Sequence, residues 1–205
     1  MSDFQAFADP APAQRLERAA AALAAKNFAV EILDDATAAR ARVKDLIPPG
    51  ASVFTGASET LRLSGIEEDI NNSGRYDSLK SRPPMDRATQ RQAIWAALSA
   101  PDVLVGSVAA VTETGSLVVA SASGSQLPGY AGAAGRVIWV VGAQKLVPDL
   151  STALRRIEDC CLPLESERAM TVYGRPSAVN RVLILNAEPE AGRGTVLLLR
   201  EAIGF

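Results

Sequence analysis

Short, almost wholly apolar runs alternate along this chain with segments of helical periodicity. The runs lie at residues 103–106, 117–120, 136–141 and 195–199. A run without polar alternation is typical of a strand that is covered on both faces. Strands that alternate with helices predict an α/β fold with a mixed, mostly parallel sheet flanked by helices. We expect a hairpin at residues 188–194 to add the last strand in the antiparallel direction.

Helix signals separate the predicted strands. The spacing of apolar residues predicts helices over residues 13–26, 36–46, 84–100 and 148–170. We expect Asn27 to end the first helix, Asp34 or Asp35 to cap the second, and Pro163 to kink or divide the last. Residues 67–81 are polar and predict a loop.

The bulk properties exclude several classes of protein. With 205 residues and 48% hydrophobic composition, the chain predicts a single domain over residues 1–205 that needs no metal or disulfide to fold. The net charge of −2 gives no electrostatic basis for binding nucleic acid or a membrane surface. No apolar run reaches the length of a membrane span, and residues 1–12 show no basic leader, so we expect a cytoplasmic protein.

The residue types limit the available chemistry. The chain contains no histidine, which excludes imidazole catalysis and removes the commonest zinc ligand. The only cysteines, Cys160 and Cys161, lie in a helical pattern, where we expect reduced, packed thiols, and two cysteines cannot hold an iron–sulfur cluster. Glycine-rich nucleotide loops are missing as well. We therefore expect no metal and no cofactor.

A polar turn at residues 113–116 is the strongest candidate for chemistry. Glu113, Thr114, Gly115 and Ser116 directly precede the apolar run at 117–120. Ligands tend to bind at strand ends in open α/β sheets, so Glu113 is a candidate base or nucleophile. Backbone N–H groups around Gly115 and Ser116 would then stabilise developing negative charge. The alternative is a polar turn whose hydroxyls bond to their own backbone and whose carboxylate faces water.

Other hydroxyl, amide and basic side chains also fall at predicted strand ends. Ser58 is a candidate N-cap, and a helix start there offers free N–H groups to an anion, the alternative being a simple cap. Arginine and lysine could hold a carboxylate or phosphate, although a solvated surface charge is the more usual explanation of each of them taken singly. The candidate ligand-binding residues are Gly56, Ser58, Thr60, Thr114, Gly115, Ser116, Ser125, Gln126, Lys145, Arg175, Ser177, Asn180 and Arg193.

Several of these segments together resemble the LUD domain, the lactate utilisation protein B/C family. The resemblance rests on Glu113-Thr-Gly-Ser-Leu-Val-Val, on Leu127-Pro128, on Val140-Val-Gly-Ala-Gln-Lys-Leu-Val-Pro148 and on Ala153-Leu-Arg-Arg-Ile157. It covers residues 51–205, with residues 1–50 as an N-terminal portion of helix and strand. The chain departs from the family's C branch at residues 175–181 and 191–194, and it lacks the cysteine clusters of iron–sulfur members.

The resemblance implies a fold similar to the sugar-phosphate isomerase and CoA-transferase group. In CoA transferases of that fold a glutamate beside a glycine turn forms an acyl thioester, and Glu113 is similarly placed. Fold alone does not determine chemistry, so this remains an analogy.

Two hypotheses of function follow. In the first, the protein binds or acts on a small organic acid, an acyl compound or a phosphate-bearing anion in organic-acid metabolism, with lactate as the family's lead. In the second, it is a non-catalytic accessory subunit that binds an iron–sulfur redox partner or a regulatory ligand. Base rates also favour a symmetric homo-oligomer.

Overall fold

Two sheets organise the computed structural model, which describes residues 7–83, 86 and 89–205. The larger sheet is six-stranded and parallel, in the order β1-β10-β7-β4-β2-β3. Its strands are β1 (Ala29–Leu33), β2 (Ser52–Thr55), β3 (Asp77–Ser78), β4 (Val103–Gly106), β7 (Arg136–Gly142) and β10 (Gly194–Leu199).

The smaller sheet is four-stranded and mixed, in the order β8-β5-β6-β9. It contains β5 (Ala110–Thr112), β6 (Leu117–Ser121), β8 (Leu146–Val147) and β9 (Arg181–Leu185). Strand β6 is antiparallel to both of its neighbours, whereas β5 and β8 run parallel.

The helices are short, and two of them continue through a π-helical turn. They are α1 (Ala13–Ala24), α2 (Ala36–Leu46), α3 (Glu59–Leu63), α4 (Ile66–Asn72), α5 (Arg91–Ser99), α6 (Leu150–Arg156) and α7 (Leu162–Tyr173). A π-helical segment, Ile157–Cys161, joins α6 to α7, another spans Gly129–Ala133, and a 3₁₀ turn spans Ala143–Lys145. In the described ranges no helix is long and apolar enough to cross a bilayer.

The core is layered. Helices α2, α3 and α4 cover one face of the large sheet through Val43, Leu61 and Ile70. The other face packs against α1 and against one side of the small sheet, in a cluster centred on Trp139. The opposite side of the small sheet packs against α6 and the π-helical segment that follows it, around Ile157. The small sheet is therefore an inner layer, which explains why β5 and β6 are almost wholly apolar.

The structure confirms the predicted α/β class and the mostly parallel large sheet with flanking helices. Asn27 ends α1 with a positive φ of 70°, and the Asp35 carboxylate caps α2 by accepting the Ala38 N–H. Pro163 lies at the start of α7, after the π-helical turn that separates α6 from α7, so the predicted helix is divided before this proline and not kinked at it. Of the helix predicted over 84–100, α5 confirms the second half, and residues 84, 85, 87 and 88 lie outside the described residues.

Two local predictions were wrong. The predicted closing hairpin does not form: β9 pairs with β6 in the small sheet, while β10 lies between β1 and β7. The physical reason is burial, since β10 is almost fully buried and suits the sheet centre, whereas β9 is partly exposed and suits an edge. Residues 67–81 also hold α4 and β3, because Ile66 and Ile70 supply a short buried helix face that the polar composition concealed.

Gly115 is a position where both the backbone angle and the available space demand glycine. Its φ is +82°, and a Cβ there would lie 2.6 Å from the carbonyl carbon of Ala22 in α1. Gly192 has nearly the same φ, +81°, but open space around it. The comparison separates the cost of the left-handed backbone from the cost of displacing α1.

We predict that Gly115→Ala destabilises the protein more than Gly192→Ala does. The backbone strain common to both is about 1–2 kcal/mol, and displacing α1 adds roughly 1–3 kcal/mol for Gly115→Ala. Urea unfolding followed by circular dichroism measures both values. Equal losses for the two variants would show that the turn at 113–116 does not support α1.

Candidate functional site

Four parallel strands of the large sheet end at the same edge. The chain continues from β2 into α3, from β4 into residues 107–109, from β7 into the 3₁₀ turn, and from β10 into residues 202–205. Because the strands are parallel and adjacent, these continuations converge. Such carboxyl edges are the usual place for ligands in open α/β sheets.

Lys145 is the centre of this convergence. Its side chain is fully buried, and its Nζ donates to Thr60 Oγ1 at 2.9 Å and to Ser107 Oγ at 3.0 Å. It also donates to the main-chain oxygens of Val108, at 3.3 Å, and Phe205, at 2.8 Å. We call Thr60, Ser107, Gln144 and Lys145 the edge cluster.

Gln144 binds the segment at 203–205 beside the lysine. Its Nε2 donates to the main-chain oxygens of Ile203, at 2.9 Å, and Gly204, at 2.7 Å. The Thr60 hydroxyl also donates to Ile203 at 3.2 Å. Gly204 fits because its φ is +65° and a Cβ would lie 2.3 Å from Thr60 Oγ1. Thr60, Gln144 and Lys145 thus all donate to consecutive main-chain oxygens of residues 203–205.

Burial and, after it, the nearby positive charge of Arg156 lower the pKa of Lys145 to about 7. The oxygen atoms that receive its hydrogen bonds come from the hydroxyls of Thr60 and Ser107 and from the main chain of Val108 and Phe205. In the described ranges no Asp or Glu side chain bonds to it. A substantial fraction of the amine is therefore neutral near physiological pH, since the charged form is costly to bury there.

The hydroxyl of Tyr130 lies next to Gly106 and Ser107, beside the edge cluster. A Cβ at Gly106 would lie 1.7 Å from the Tyr130 hydroxyl oxygen, so Gly106 is required for the ring to reach this edge. Burial raises the pKa of the Tyr130 hydroxyl, and the hydrogen bond from the Ser107 backbone only partly opposes that effect. Tyr130 is therefore a neutral, fixed hydroxyl behind Ser107.

Glu113 is bound to α1. Its Oε1 accepts from Arg15 Nε at 2.5 Å, and its Oε2 accepts from Arg18 Nη2 at 3.0 Å. Burial pushes the pKa of Glu113 upward, but the hydrogen bonds from the two arginines outweigh it, so the pKa is lowered. A carboxylate stabilised in this way is a weaker base and a weaker nucleophile than a free one.

The backbone donors next to Glu113 are also occupied. The Gly115 N–H donates to the Thr112 carbonyl, and the Ser116 N–H donates to Thr112 Oγ1, each at 2.9 Å. The Thr114 hydroxyl lies 2.9 Å from the same Thr112 oxygen, and the Ser116 hydroxyl donates to Asn186. Only the Thr112 hydroxyl bonds to the backbone of the turn, whereas the hydroxyls of Thr114 and Ser116 bond to side chains.

The candidate residues at 56–60 separate into two groups. Thr60 is fully buried and bonds to Lys145, so the structure brings these two predicted residues together. Ser58 caps α3 by accepting the Leu61 N–H at 3.4 Å. Gly56 is buried and donates its N–H to the Val105 carbonyl at 2.9 Å.

The remaining candidate residues bond within their own neighbourhoods. Ser125 donates to Gln126 at 3.4 Å in the loop after β6. Arg193 is buried, pairs with Glu188 at 3.3 Å and donates to the Tyr130 carbonyl at 2.8 Å. Asn180 donates to Ala122, Arg175 is exposed and Ser177 is half-buried. None of the hydrogen bonds described here joins these residues to Lys145.

Sequence reasoning overlooked Ser107, Gln144 and Arg156. Ser107 and Gln144 each follow a buried strand that precedes a polar turn, which is the same signal that identified Thr60 and Lys145. Nothing in the sequence indicates that Arg156 is buried, because an arginine in a helical pattern is ordinarily exposed. In the structure it is fully buried, and its Nη1 bonds to the Ala109 carbonyl and lies 2.9 Å from Cys161 Sγ.

We predict a distinct pH dependence for the stability contributed by Lys145. Since its pKa is lowered in the fold, the unfolded chain binds the additional proton between pH 7 and about pH 10.4. The stability of the wild type should therefore rise through that range relative to Lys145→Met, by up to about 1.4 kcal/mol per pH unit, and stay level below pH 7.

Urea unfolding at several pH values measures this difference, with the exposed Lys44→Met variant as the control. A stability difference between wild type and Lys145→Met that stays constant from pH 6 to pH 10 would contradict the prediction.

Comparisons with known proteins agree on the family. The profile of the LUD domain matches residues 16–181. Among solved structures, the chain is similar to a DUF162 family protein from Deinococcus radiodurans, with 15% identity and a TM-score of 0.54. That match covers 91% of this chain and 96% of the other, and at this identity it supports the fold alone. The comparison with curated proteins found no match. Since the profile covers most of the chain, the protein belongs to the LUD domain family.

Proposed function

We propose that the protein binds a small organic acid as its anion at the edge cluster, with Lys145 as the principal ligand residue. The name of the family suggests lactate and related short acids as the first compounds to test. The observation that carries the proposal is the burial of the Lys145 ammonium with hydrogen bonds to hydroxyl and main-chain oxygens and, in the described ranges, none to an Asp or Glu side chain.

The energetic argument concerns charge. Burying an ammonium is costly, and the lowered pKa of Lys145 expresses that cost. An anion beside Nζ would offset it, because opposite charges attract strongly where water is excluded. Binding an acid should therefore raise the pKa of Lys145 and take up protons near neutral pH.

The atoms that now bind to the edge cluster indicate that a carboxylate would fit there. The main-chain oxygens of residues 203–205 accept from Gln144 Nε2, Thr60 Oγ1 and Lys145 Nζ. A carboxylate also offers only acceptors, and its charge strengthens each hydrogen bond. A small acid that displaces the Phe205 oxygen would find the same donors already oriented. Residues 203–205 would then move to admit it.

The second hypothesis, an accessory subunit that binds an iron–sulfur partner, stays a prediction. Measurements on the isolated protein separate it from the first. An accessory subunit need not bind a small acid when it is alone, whereas the proposed site must.

We predict that lactate, pyruvate or acetate binds to the wild type and that Lys145→Met weakens the binding at least tenfold. Isothermal titration calorimetry in two buffers of different ionisation enthalpy measures both affinity and proton uptake. Lys44→Met, in which an exposed lysine is lost, should bind like the wild type. Equal affinity in Lys145→Met and wild type, or no binding of any of the three acids, would refute the proposal.

Glu113 has a separate expected behaviour. Because its pKa is lowered by Arg15 and Arg18, its stabilising effect is present above about pH 4.3 and is lost as the pH falls through the lowered value. We predict that Glu113→Gln lowers stability at pH 7 by about 1 kcal/mol, with the loss disappearing in acid, and leaves acid affinity unchanged.

Unfolding and calorimetry on Glu113→Gln test this expectation, with the exposed Glu167→Gln as the control. A large drop in acid affinity without loss of stability would instead support Glu113 as a residue that contacts the ligand.

A further inference from the structure

Arg156 is a fully buried arginine with one edge of its guanidinium group unused. Its Nη1 donates a hydrogen bond to the Ala109 carbonyl oxygen and lies 2.9 Å from Cys161 Sγ. Its Nε and Nη2 are buried and have no hydrogen-bond partner. In the described part of the chain it forms no ion pair with a carboxylate. Charged donors without an acceptor are costly in a core, so the unused Nε–Nη2 edge is expected to have a role beyond packing.

The unused edge has the geometry of a carboxylate clamp. Nε–H and Nη2–H project in parallel from one side of the guanidinium plane, which matches the two oxygens of a carboxylate. Elsewhere in this protein the same edge holds a carboxylate. The pairs are Arg40–Asp69, Arg42–Glu31, Arg62–Glu59, Arg82–Asp77 and Arg168–Glu165.

Cys161 does not provide an acceptor for the Nε–H and Nη2–H groups of Arg156. Its sulfur lies beside Nη1, on the opposite side of the guanidinium from the unused edge. A hydrogen bond from Cys160, together with the nearby Arg156 charge, lowers the pKa of Cys161, so this thiol can balance some of the charge. The two N–H groups of the unused edge still lack an acceptor.

The location connects Arg156 with the edge cluster. Lys145 bonds to Ser107 and Val108, and Arg156 bonds to Ala109, so consecutive residues after β4 contact the two cations. The positive charge of Arg156 contributes to the low pKa of Lys145. Ser107 and Ala109 are partly exposed, so this connection reaches the surface.

We infer that the Nε–Nη2 edge of Arg156 is a buried binding site for the carboxylate of a small monocarboxylic acid. The inference rests on the proposed function and deepens it: the Arg156 edge holds the carboxylate on one side, and the donors of the edge cluster, Lys145 among them, hold it on the other. Because the edge is buried, only a small ligand fits there.

The test is acetate binding to the full chain by calorimetry, with chloride as the competing simple anion. Arg156→Gln should weaken acetate binding at least tenfold, and Arg156→Lys should also weaken it, because lysine lacks the two-pronged edge. Arg155→Gln is the matched control, since its neighbouring guanidinium is exposed and only distantly paired with Asp159. It should bind acetate like the wild type.

The outcomes distinguish the two proposals. Normal acetate affinity in Arg156→Gln, with weakened affinity in Lys145→Met, would overturn the Arg156 site and leave the proposed function standing. Normal affinity in both variants would overturn both. A response to chloride equal to that to acetate would overturn the assignment to carboxylate.

A measurement on the unmodified sequence guards against variants that fail to fold. In a ¹⁵N-arginine NMR spectrum, the Nε–H signal of Arg156 should move downfield on addition of acetate and remain in place on addition of chloride. The Arg155 signal should not move with either salt. An Arg156 Nε–H signal whose chemical shift does not change on addition of acetate would overturn the inference.

Discussion

The buried ammonium of Lys145 is the interaction on which the carboxyl edge of the large sheet depends. It bonds to Thr60 after β2, to Ser107 after β4 and to Phe205 after β10, while its own backbone follows β7. A single donor group thus joins the continuations of four strands. The cost of burying its charge is what makes the same place suited to an anion, so the features that organise the edge and those that support the proposed ligand site are the same.

The turn at 113–116 contributes in a different way. Glu113 joins the small sheet to Arg15 and Arg18 on α1, and Gly115 lets the two backbones approach closely. The small sheet is consequently held between α1 and the large sheet on one side and α6 on the other. Since Ser107 and Ala109 lead into β5, the position of this inner sheet also determines where Lys145 and Arg156 meet the chain.

Local pattern predicted most helix boundaries and most strands, because capping and periodicity are properties of neighbouring residues. Asn27, Asp35 and Ser58 behave as their local chemistry indicates. Two members of the edge cluster, Thr60 and Lys145, could also be predicted, since polar residues after a buried strand gather at one edge of a parallel sheet. Gln144 carries the same signal as Lys145, although its partners at 203–205 could not be inferred from sequence. Arg156 could not be assigned, because its burial against Ala109 depends on a contact that is distant in sequence.

The sequence by itself determined the α/β class, the resemblance to the LUD domain and the restriction to chemistry without histidine. These follow from periodicity, motif and composition, which need no knowledge of spatial neighbours. Only the tertiary structure decided that β9 and β10 belong to different sheets, that Glu113 pairs with α1, and that Arg156 is buried with a free edge. An apolar run specifies that a strand is buried, but its partner is chosen by how all the layers close around the core.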